Sequence, residues 1–156
     1  MRKHILLYIT SVLLVFSSCS KNKTVDENQI INLIDNWHQA AANAELDTYF
    51  NLMSQDAIYI GTDPNERWSK DEFHQFCKPY FDKGTTWDFK PFDRKIYLSS
   101  DNKTIWFDEL LNTWMGVCRG SGVITLENGT YKISHYHLSV TIKNESIKEF
   151  LQIKQD

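Results

Sequence analysis

Asn128-Gly129 lies between two long β-like runs, Val117 to Leu126 and Thr130 to Ile142. This dipeptide takes positive φ at both central positions of a type I′ turn, so it closes a two-residue hairpin and pins the register of both strands. Leu126 then faces Tyr131, Ile124 faces Ile133, Gly122 faces His135 and Gly120 faces His137. Opposed residues share a face, and the face alternates along each strand. Leu126, Tyr131, Ile124, Ile133, His135 and His137 fall on one face; Thr125, Lys132, Val123, Ser134, Ser121 and Tyr136 fall on the other. The first set is the more apolar and is expected to be concave. It ends in two histidines opposite two glycines, which leave space beside polar groups as a ligand pocket requires. The other reading is a half-exposed His pair with glycines marking bulges.

Upstream, the periodicity is helical. Ile30, Ile31, Leu33, Ile34, Trp37, Ala40, Ala41 and Ala44 recur at helical spacing, so residues 26–44 read as an amphipathic helix with Asp26 as N-cap. Residues 47–53 read as a second short helix and residues 57–60 as a short strand. Gly61-Thr62-Asp63-Pro64-Asn65-Glu66 is turn chemistry, in which Asp63 and Glu66 are expected to accept from local backbone N–H groups. Ser69 and Glu72 form a capping box for a third helix ending near Gly84. Residues 86–98 and 104–114 are β-like, and Asn144 is a candidate cap for a last short helix through Phe150. The expected class is therefore α+β: three N-terminal helices followed by a long antiparallel sheet.

The order of elements, the segment Gly61-Thr62-Asp63-Pro64-x-Glu66-x-Trp68, and the run Arg119-Gly-Ser-Gly-Val123 followed by Tyr131-Lys-Ile-Ser-His-Tyr-His-Leu-Ser139 resemble the SnoaL-like branch of the nuclear-transport-factor-2-like superfamily. The resemblance implies a cone: a curved antiparallel sheet wrapped round three N-terminal helices, with a pocket at its open end. Such folds serve as isomerases, polyketide cyclases, dehydratases, or domains that only bind or dimerise, so fold alone does not choose a reaction.

Two carboxylates are candidates for proton transfer. Asp108 and Glu109 are adjacent in a strand, so only one faces inward. A turn at Met115-Gly116 sets Glu109 opposite Gly122, beside His135, with Ile105, Phe107 and Leu111 on the same face. Glu109 is preferred on that ground. A carboxylate beside His135 and His137 in a dry pocket suits general base chemistry, or the groups simply satisfy each other. Arg119 faces away in the clean register and inward if Gly120 or Gly122 forms a bulge. Trp37, Tyr49, Trp68 and Trp106 are candidate pocket walls or core. No ligand spacing repeats on one element, so neither metal nor cofactor is expected. Three functions stay open: a binding module for a small, partly apolar molecule, a proton-shuttling isomerase, cyclase or dehydratase, and an interaction domain. The resemblance, together with Tyr136, Val123 and Leu138 on the outer face, implies a homodimer.

The first residues read as an export signal. Arg2 and Lys3 precede an apolar run from Ile5 to Phe16, too short to span a bilayer, where about 20 residues are needed. Phe16-Ser17-Ser18-Cys19 resembles a bacterial lipobox, so residues 1–18 are expected to be removed and Cys19 lipidated, with residues 19–27 as a tether. The domain proper is residues 28–143, and 144–156 form a C-terminal helix and tail. Loss of Arg2 and Lys3 takes the net charge from −3 to −5. An acidic chain offers no footprint for nucleic acid and no basic help at the membrane, so acyl chains alone must anchor it, to the outer membrane if Ser20 after the Cys follows bacterial sorting. Cys77 and Cys118 are either one disulfide or two separate buried thiols.

Overall fold

Asp26 accepts the backbone N–H of Asn28 at 3.0 Å and starts helix α1, Glu27–Ala42, in a computed structural model that describes residues 25–154. The signal, the lipobox with Cys19 and most of the tether lie outside the described residues. One stripe of α1, through Ile30, Ile34, Trp37 and Ala41, is buried. Each Ile so placed stabilises the fold by about 1.5–3 kcal/mol. Helix α2, Leu46–Asn51, follows directly and buries Tyr49 and Phe50. Strands β1, Met53–Ile60, and β2, Arg67–Ser69, flank the Gly61–Glu66 turn. The Ser69/Glu72 capping box forms as expected and opens α3, Lys70–Asp82, which ends at Gly84 with φ +63°. Then come β3, Lys90–Leu98, β4, Thr104–Thr113, β5, Gly116–Glu127, and β6, Thr130–Val140. Helix α4, Ile147–Ile153, closes the described chain after a single 3-10 turn at Asn144–Ser146; Asn144 does not cap it.

The six strands form one sheet in the order β2-β1-β6-β5-β4-β3. Two expectations need correction here. The sheet is mixed, not antiparallel: β1 runs parallel to β6, because the chain crosses from one edge of the sheet to the other through α3 before the meander begins. Only α1 and α2 precede the sheet; α3 is inserted between β2 and β3. Strand-to-strand pairing is otherwise antiparallel throughout. Asn128 and Gly129 have φ of 50° and 82°, and the hairpin they close pairs Glu127 with Thr130 and Leu126 with Tyr131. Cys77 and Cys118 are separate buried thiols.

Candidate functional site

Glu109 is fully buried on β4 and accepts three hydrogen bonds. Its Oε1 accepts from His38 Nε2 at 2.7 Å and from the Tyr136 hydroxyl at 3.1 Å. Its Oε2 accepts from Arg94 Nε at 2.8 Å, and Arg94 Nη2 makes an ion-pair contact at 2.8 Å. Arg94 Nη1 reaches on to Asp35 at 2.7 Å on the surface of α1. Burial by itself would raise the Glu109 pKa; the hydrogen bond and charge of His38 and the Arg94 guanidinium overcome it and hold the carboxyl below its ordinary value. An ionised carboxylate only accepts, so Nε2 of His38 is the donor in this hydrogen bond. His38 lines a cleft of about 300 Å³ between α1 and the start of β3, with Asp35, Gln39 and Asp88.

Neither His135 nor His137 belongs to this cluster. The hairpin register runs as expected as far as Ile124 opposite Ile133, and then shifts by one residue. Ser134 is the extra residue, so Val123 faces His135, Gly122 faces Tyr136, Ser121 faces His137 and Gly120 faces Leu138. One residue of slip sends every later side chain to the opposite face. Tyr136 and Leu138 turn into the core, His135 becomes half-buried on the outer face, and His137 is exposed. Burial first, then the charges of His137 and Arg67, lower the His135 pKa. The glycines do not leave room for a ligand either. A Cβ on Gly120 would lie 2.1 Å from the Tyr136 hydroxyl, and one on Gly122 would lie 2.6 Å from the Phe107 ring. Their space is already filled by core aromatics.

Glu109 faces inward as expected, although its turn is different. Thr113 pairs with Gly116, so Trp114 and Met115 form the turn and Glu109 faces Gly120 rather than Gly122. A shift of two positions preserves the face. Asp108 faces out and pairs with Arg119 at 3.0 Å, so Arg119 also lies outside. Trp106 is exposed on the outer face and stacks on Tyr97, ring centroids 5.9 Å apart. Trp37 and Tyr49 are core, stacked at 4.8 Å. Of the four candidate wall residues, Trp68 lines an aromatic cleft.

That cleft, of about 160 Å³, lies where the β1–β2 turn, α3, the segment before β3 and the β4–β5 turn converge. Its walls are mostly aromatic, with Trp68, Phe76, Trp87 and Trp114 among them. Trp114, on the β4–β5 turn, is 85% exposed. Phe89 lines both this cleft and the His38 cleft, and so partitions them. The Asp63 and Glu66 carboxylates serve the turn: Asp63 accepts from Asn65 N–H at 2.8 Å and Glu66 from Asp63 N–H at 3.1 Å. A larger groove of about 470 Å³ near the N-terminus of α1 mixes polar groups, including Asn32, Asn36 and Lys132, with Leu33, Leu52 and Tyr131.

A family model described as a SnoaL-like domain matches residues 30–143, spanning α1 through β6. The chain belongs to the SnoaL-like domain family. No curated protein matches it in sequence. Solved structures share the fold at low identity. An NTF2-like protein from Pseudomonas putida superposes with a TM-score of 0.64 at 14% identity, over 77% of this chain and 89% of that one. An NTF2-like protein from Cytophaga hutchinsonii gives 0.64 at 15% identity, over 76% and 100%. The association domain of C. elegans CaMKII gives 0.58 at 16%, over 73% and 95%.

In this SnoaL-like domain the residues that surround Glu109 were not singled out by sequence. His38 had a usable signal: it stands four residues after Ile34 and three before Ala41, on the core stripe of α1. Arg94 had none. Asp93 adopts φ 49° at a bulge between Phe92 and Lys95, and that irregularity goes with Arg94 turning inward.

Proposed function

We propose that this SnoaL-like domain binds a small, partly apolar molecule in the aromatic cleft beside Trp68 and Trp114, while lipid on Cys19 holds it at a bacterial membrane. The observation that carries the reading is Trp114: 85% exposed, on a tight turn, forming one wall of a cleft whose other walls are mostly rings. Native mass spectrometry of the purified domain tests the ligand. A bound small molecule that is lost on Trp114→Ala is the expected result; a bare protein mass together with no saturable effect of an apolar dye on Trp emission overturns it. Incorporation of labelled palmitate that disappears in Cys19→Ala tests the anchor.

A second reading is favoured by one feature. Glu109 orients the His38 ring through Nε2, and His38 lines a cleft of its own. A carboxylate that orients an imidazole is the arrangement of a general base. The isomerase, cyclase or dehydratase alternative therefore runs through His38 and Glu109, with Arg94 helping to hold the carboxylate ionised. His38→Gln abolishing turnover while leaving the fold intact is its test.

We further propose a homodimer through the outer sheet face. The row Ile58, His135, Val123, Trp106, Tyr97 crosses five strands side by side and presents an apolar, aromatic stripe. The fold is shared with a protein named as an association domain.

A further inference from the structure

We propose that the occupant of the aromatic cleft is an organic cation, a methylated ammonium head on a small body. The inference rests on the reading of that cleft as the ligand site and adds the chemistry of the ligand.

Among the residues lining the cleft, Glu66 carries the only formal charge; no Lys, Arg or His lines it. Glu66 is half-buried and enters none of the ion pairs among the described residues. It is also held in place. Its Oε2 accepts the Asp63 N–H at 3.1 Å and its own backbone carbonyl accepts the Gly61 N–H at 2.8 Å. Its carboxylate lies against Gly61, where a Cβ would come within 2.1 Å of Oε2. Only glycine admits the carboxylate there. The charge reaches the cleft floor: burial, then Cys77, then Glu66 push the Tyr59 hydroxyl well above its ordinary value.

The rings supply the rest. An aromatic face is electron-rich and attracts a cation placed over it, Trp most strongly. Trp114 has no ring partner among the described residues, so its faces are open. Phe76, Trp87 and Trp114 also wall an adjoining cleft of about 230 Å³, so the aromatic surface continues past the lip. A neutral apolar ligand would cover Glu66 and strip its water without replacing it, which is costly for a carboxylate. An anion would be repelled. A primary ammonium needs three hydrogen-bond acceptors, whereas Glu66 and Thr62 are the main side-chain acceptors on offer. A methylated ammonium needs none.

The test compares choline with 3,3-dimethylbutan-1-ol, its neutral carbon isostere, on the full chain purified in non-ionic detergent, by calorimetry and Trp fluorescence. Choline is expected to bind saturably and to change Trp emission, with the isostere about tenfold weaker. Glu66→Gln should bring choline down toward the isostere, and Trp114→Ala should weaken choline without touching the turn that Glu66 supports. If the isostere binds as well as choline, or if an apolar dye binds and choline does not, the cation inference is overturned and the ligand-site reading stands. If neither choline nor isostere nor dye binds, both fall.

Discussion

The Tyr136 hydroxyl occupies the place where a side chain on Gly120 would begin: an ideal Cβ there lies 2.1 Å from the oxygen. From that position the hydroxyl donates to Glu109. A glycine in β5, a tyrosine in β6 and a carboxylate in β4 are thus one unit, built across three strands and closed over by His38 from α1.

Gly120→Ala is expected to destabilise the domain by about 1–3 kcal/mol, since Tyr136 is fully buried and has nowhere to retreat. Tyr136→Phe alone should cost about 1.5–3 kcal/mol through a lost hydrogen bond to a charged group. The double variant should cost clearly less than the sum, because removing the hydroxyl relieves the clash. Urea unfolding of the four proteins measures the coupling; strict additivity would show that the two residues do not share space.

Glu109→Gln should cost about 3–5 kcal/mol, the penalty for breaking a buried pair and leaving Arg94 with only the surface carboxylate of Asp35. The pH dependence follows from the lowered Glu109 pKa. The unfolded chain holds more protons on this group than the folded one does below the ordinary carboxyl range, so the stabilisation is complete above about pH 4.5 and is lost as pH falls through the lower, folded value. Unfolding midpoints between pH 6 and pH 3 should fall for the wild-type protein and lack this component in Glu109→Gln.

Trp106→Glu places a charge in the middle of the outer stripe, beside Tyr97. Sedimentation should show a dimer for the native protein at tens of micromolar and a monomer for the variant. Stability of the variant should stay within about 0.5 kcal/mol, since Trp106 is half exposed in the single chain. A native protein that sediments as a monomer at high micromolar concentration sinks the proposal.

Phe89→Ala removes the partition between the aromatic cleft and the His38 cleft. The buried ring should cost about 3–5 kcal/mol. Apolar dyes too long for the native cleft should bind the variant, with emission that responds to His38→Gln. Insensitivity to His38 would mean the two clefts do not connect.

Local chemistry determined a good deal before any packing was known. Asp26 and the Ser69/Glu72 box start their helices because the capping groups are two or three residues from the N–H groups they satisfy. Asn128-Gly129 makes its hairpin because both positions need positive φ. Glu109 was readable as inward because the true β4–β5 register differs from the expected one by two positions, an even number. The histidines went the other way because a single residue, Ser134, was added to one strand, and nothing in the local pattern marks that bulge. What surrounds Glu109 was decided in three dimensions. His38 is 71 residues away in the chain, Arg94 enters through a bulge at Asp93, and Tyr136 reaches the carboxylate only because Ser134 turned it inward. Capping and turns act over a few bonds, so they are written in neighbouring residues; the burial of one charge among its partners depends on where whole strands come to rest.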